Sequence, residues 1–233
     1  MKKRIWIPTA IAVAICVAYA SATWDAGLPA KPKQPTVEEA WADIAATKPY
    51  IHAVLSDHMD EARPVFAKFV AMDHFDGSEK VLSDMISTYG DPALARASDA
   101  RAIDVLEKAG TVVDVISSYY PEGCRYFAAR QEPPGMSAIS EYRESDRDFM
   151  EAMRLAYEDG KSRAPTDRLT PQAVFQVMTE DLGISMEEMN LMLKPDQLTG
   201  AQICSVLKRM LNVQAVPQEL RGDWARVTIA PKG

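Results

Sequence analysis

From residue 36 onward the apolar residues of this chain recur at intervals of three and four, and no stretch alternates at intervals of two. A strand with one buried face needs the two-residue period, whereas a helix with one buried stripe needs the three-to-four-residue period. The pattern therefore predicts an all-α fold, an irregular multi-helix array or bundle of roughly eight helices, preceded by an N-terminal signal or anchor helix.

Start and stop signals divide that pattern. Thr36 with Glu39, Ser185 with Glu188, and Thr199 with Gln202 have the spacing of a capping box, in which each side chain satisfies the other's backbone N–H. Pro49 and Pro171 suit a first helical turn, where no N–H partner is needed. Pro64 predicts a kink, or a new helix capped by Asp60. Gly90 reads as the end of the short helix carrying Leu82, Met85, Ile86 and Tyr89, and Asp91-Pro92 as the start of another running to Tyr120. The β-branched run Thr111–Ile116 has a strand alternative, but its spacing favours helix. Gln131–Gly135 is the strongest interior break, read as a loop within one domain. Ser137–Asp159 carries the cleanest heptad, with Asp146 on its apolar seam. Gly160–Pro165 reads as polar linker, and a last helix is expected over Gln218–Arg226.

Residues 1–24 differ from the rest. Lys2, Lys3 and Arg4 precede an uncharged apolar run from Ile5, and Ala18-Tyr19-Ala20 and Ala20-Ser21-Ala22 place small residues where signal peptidase reads them. This is the order of a secretory signal. The stretch 5–23 also approaches the roughly 20 residues that span a bilayer, with Trp6 and Trp24 at the two interfaces, so an uncleaved inner-membrane anchor is the alternative. Either way the basic end stays inside and the remainder is exported, periplasmic or secreted. Residues 25–35 hold Gly27, Pro29, Pro32 and Pro35 and read as a Pro-rich linker, leaving 36–233 as the exported helical domain.

Charge narrows the partners. The chain has 26 Lys and Arg against 33 Asp and Glu; without the three leader cations, 23 remain against 33 acids, a net charge of −10. Such a surface repels phosphate backbones and anionic headgroups, so nucleic acid is not an expected partner.

Several residue groups are candidate sites. Tyr119, Tyr120, Arg125, Tyr126 and Phe127 cluster around the Pro121–Cys124 turn, and Tyr and Arg are enriched among interface anchors. Met186, Met189 and Met192 have the Met-x-x-Met-x-x-Met spacing of copper and silver binders, because soft thioethers on adjacent turns select Cu(I); the same spacing also makes a core face. Among the histidines, His52 and His58 fall on different helix faces, and His74 lies beside Asp73 and Asp76 without the order of a calcium loop. His58 falls on an apolar stripe and reads as a hydrogen-bonded core residue. Glu144-Ser145 resembles the Glu-Ser pair of lytic transglycosylases, a resemblance that implies a proton-holding Glu acting on peptidoglycan; the Gly-Leu-Met-Gln stretch of that family is missing. Ser205-Val-Leu-Lys208 matches the Ser-x-x-Lys of penicillin-interacting enzymes, without their Lys-Thr-Gly element. Once the leader is removed, Cys124 and Cys204 are the only cysteines, and an oxidising compartment predicts a disulfide between them.

No pattern points to a cofactor. The reading is a non-enzymatic exported envelope protein, a protein-binding or accessory component whose partner is another envelope protein. A cell-wall hydrolase using a Glu acid and a periplasmic copper binder are the alternatives.

Overall fold

The computed structural model describes residues 35–71, 78–166, 169–192, 194 and 197–230. The leader, the linker up to residue 34, His74 and Asp76-Gly77 lie outside the described residues.

Eleven α-helices and no strand occur among the described residues: α1 Val37–Thr47, α2 Pro49–Asp57, α3 Met59–Ala71, α4 Ser78–Leu94, α5 Asp99–Tyr119, α6 Gly123–Ala128, α7 Ser140–Lys161, α8 Pro171–Gln176, α9 Met186–Met192, α10 Gly200–Leu211 and α11 Arg221–Ile229. The capping boxes at Thr36 and Thr199 form, and Ser185 and Glu188 exchange the same pair of bonds ahead of α9. Helices α5 and α7 form the centre. The stripe Val105, Leu106, Ala109, Val112, Val113 and Ile116 of α5 is fully buried, so the β-branched run is helical. Helix α5 packs against α7, α10 and α11, while α7 also packs against α2 and α4. The buried residues of all these helices form one contiguous core.

Three local expectations are corrected. The break near Pro64 comes earlier, at His58, and Pro64 sits inside α3. Gly90 does not end a helix, and Asp91 does not cap one, because α4 continues through both and through Pro92. Gly90 is there for contact: a Cβ at that position would lie 2.1 Å from the hydroxyl of buried Tyr50. Gly160 is no linker residue, since it is buried in α7, where a Cβ would fall 1.9 Å from the Ala93 carbonyl of α4. Both glycines read as punctuation in sequence but serve close packing between helices.

Helix termini are tied across the fold. Asp159 of α7 accepts from the Ser98 backbone N–H at 2.7 Å, at the start of α5. Buried Arg226 of α11 donates to the Ala97 carbonyl at 3.0 Å and to Asp99 at 2.6 Å, which holds α11 to the same end. Cys124 of α6 and Cys204 of α10 sit at disulfide distance, with Cα atoms 5.3 Å apart.

Candidate functional site

Between α2, α5, α6, α7, α10 and α11 lies a cavity of about 190 Å³. Its apolar walls come from each helix's inward stripe, notably Leu106 and Ala109 of α5, Phe149 and Met153 of α7, and Leu207 of α10. Phe127 of α6 closes against Phe149, with ring centroids 6.1 Å apart. The short helix α6 meets α10 there, where Cys124 and Cys204 sit at disulfide distance.

One side of the cavity is charged. Lys48, at the junction of α1 and α2, donates from Nζ to Asp146 of α7 at 2.6 Å and lies 3.5 Å from Glu132. The three side chains are only 12–17% exposed. Burial pulls the Lys48 ammonium down, but the two carboxylates outweigh it and hold its pKa above the ordinary value. Burial pushes the Glu132 carboxyl up and repulsion from Asp146 adds to this, while Lys48 and a hydrogen bond with Ser137 only partly offset it. Asp146 is thus the direct partner of the ammonium. Burial also raises the phenol of Tyr142, followed by the two nearby carboxylates, so it stays a neutral hydroxyl.

Arg130 completes this side. Its backbone takes φ 62°, an uncommon left-handed conformation for a residue with a side chain. In that conformation its guanidinium reaches Asp91 at 3.8 Å and donates to the Ile229 carbonyl at 3.2 Å. Strained backbone of this kind concentrates where a structure must aim a side chain.

The residues singled out in the sequence are placed as follows. Tyr119 is 55% exposed and donates to Glu141 at 2.9 Å, whereas Tyr120 and Phe127 pack against the core. Tyr126 is half-buried, and Arg125 pairs with Glu122 at 2.9 Å and donates to the Leu198 carbonyl. The five are therefore divided between surface, internal ties and cavity wall. Met186 is 54% exposed, while Met189 and Met192 pack against the core. Among the described residues, no group of three His, Cys, Asp or Glu has the arrangement of a metal site. His58 is half-buried and stacks on Tyr89 at 3.6 Å; His52 meets the edge of Trp41 at 5.4 Å. Glu144 is exposed on α7, and its neighbour Ser145 is buried with its hydroxyl donating to the Tyr142 carbonyl at 3.0 Å. Ser205 is exposed, and Lys208 is engaged with Asp114 at 2.9 Å.

Of the charged cluster, only Asp146 had a legible signal, a carboxylate on an apolar heptad seam. Lys48 and Glu132 sit beside prolines in what read as junctions, and nothing local marks them as partners. Among the described residues, no helix is long and apolar enough to cross a membrane. Compared with protein families, with curated proteins and with solved structures, the chain has no match.

Proposed function

We propose that this chain is a non-enzymatic accessory protein of the cell envelope whose helical domain binds a small, largely apolar molecule in the cavity between α5, α6, α7 and α10. The observation that carries this reading is the cavity itself. Native interiors are close-packed and keep few such openings, and this one measures about 190 Å³. An engineered cavity of about 150 Å³ is already roomy enough for benzene. A pocket with apolar walls and a few converging polar groups is the usual form of a small-molecule site.

The envelope location is supported by the basic-apolar-small order of residues 1–24 and by two cysteines at bonding distance, since disulfides persist in oxidising compartments. A reporter active only outside the cytoplasm, fused after Gly233, should be active. The non-enzymatic part is supported by the exposure of Glu144, because a glycosidase acid is held protonated by a desolvated setting.

The test of the binding reading is stabilisation by an apolar probe. Toluene should raise the melting temperature of the purified protein, by up to the equivalent of about 2.7 kcal/mol at a hundredfold excess over Kd. Replacing Ala109 by Leu, which fills part of the void, should weaken that effect. No stabilisation by toluene would defeat the reading. Release of fragments from peptidoglycan, lost in Glu144→Gln, would replace it with a hydrolase.

A further inference from the structure

We infer that the ligand of this cavity is an amphiphilic amine, an ammonium head on a compact hydrocarbon body, with the head seated beside Glu132. This rests on the cavity being a binding site, as proposed above, and adds the chemistry of what enters it.

The charge on the polar side decides the head group. A single ammonium, Lys48, stands between two carboxylates, 2.6 Å from Asp146 and 3.5 Å from Glu132. The other cation in the wall, Arg130, is directed away from them, toward Asp91 and the Ile229 carbonyl. Beside the cavity, Lys48, Asp146 and Glu132 thus set one cation against two carboxylates. Tyr142, beside the two carboxylates, is neutral. With both carboxylates ionised, one negative charge is left over among side chains only 12–17% exposed.

Two largely buried carboxylates that share one ammonium leave a negative charge incompletely neutralised, and such a charge is costly in a protein interior. Two events relieve it. Glu132 can take up a proton, which is the direction in which its burial pushes it. Alternatively a ligand can supply the missing cation. A carboxylate head would add a second negative charge to the same spot. A neutral alcohol would fill the walls and leave the charge standing. A bare metal ion would meet the charge and leave the apolar walls of α5, α7 and α10 without contacts. An ammonium on a hydrocarbon body satisfies both halves of the site: the head accepts Glu132 as its counter-ion, and the body covers Leu106, Phe149, Met153 and Leu207.

The test compares three probes with the same six-carbon body, hexylamine, hexanol and hexanoate, by calorimetric titration of the purified protein at pH 7. Hexylamine should bind about tenfold more tightly than hexanol, the scale of one charge-assisted hydrogen bond, and hexanoate should bind most weakly. In Glu132→Gln, which keeps the shape of the side chain, the advantage of the amine over the alcohol should vanish. A preference for hexanoate, or equal affinity for all three, would overturn the amine inference and leave the cavity reading intact. So would an amine preference that survives Glu132→Gln, since the head would then sit elsewhere. Failure of all three to bind would defeat the cavity reading itself.

Discussion

Asp146 illustrates how far a single residue can be read. Its place on the seam of α7 is plain from the heptad, but a carboxylate there is tolerated only because Lys48, 98 positions earlier, reaches it. Glu188 is the opposite case, since its local role was legible and its distant one was not. Its capping bond to Ser185 follows from spacing of three, whereas the Arg209 guanidinium that meets it comes from α10. Arg209 first, and then the Ser185 N–H, hold the Glu188 carboxyl down at about 2. A depressed folded-state pKa contributes stability that is complete above the unfolded value near 4.5 and is lost as pH falls toward 2. Water screens part of this half-exposed pair, so its share is on the order of 0.2–1 kcal/mol. Urea unfolding between pH 5 and pH 2, conditions set around that window, should show a shallower acid loss in Glu188→Gln than in the wild type. Identical acid profiles would remove the pair from the account.

At the scale of elements, most helices follow from their own stretch of sequence and their crossings do not. A capping box and a three-to-four stripe act within one helix, which is why α1, α7 and α10 were legible, as was the stripe of α5 though not its start at Asp99. Gly160 was misread because its reason lies in α4. Intrinsic propensity favours Ala over Gly by about 1 kcal/mol within a helix, so on local grounds Gly160→Ala should stabilise α7. The crossing decides otherwise. The new Cβ would meet the Ala93 carbonyl at 1.9 Å, and backbone cannot move aside as a side-chain tip can. Overpacking of this kind costs about 1–3 kcal/mol, which outweighs the propensity gain. Gly160→Ala should therefore lower the urea midpoint with an unchanged m-value. A midpoint equal to or above the wild type would show that α4 and α7 do not cross as described.

For the whole molecule, the Cys124–Cys204 pair is a constraint of a different kind, since a bond there would join α6 to α10 over 80 positions. Closing a loop of 80 residues removes unfolded-state entropy equivalent to about 4.5 kcal/mol. Reduction, or Cys204→Ser, should cost about 3–5 kcal/mol in urea unfolding and loosen the α6 wall of the cavity. In envelope-derived protein denatured without reductant, neither cysteine should be alkylated. Labelling of both would show the thiols to be free. What the sequence by itself determined here is the set of local outcomes: helix over strand, the capped helix starts, and the acidity of the body. These depend on contacts within one turn or on sums over all residues, so they survive without knowledge of neighbours. The tertiary structure alone decided that Lys48, Glu132 and Asp146 meet, that Arg130 turns toward Asp91, and that a void remains among the central helices. Each of these depends on residues tens of positions apart being brought within a few ångströms. No period or spacing encodes that proximity, because it arises from how whole helices cross.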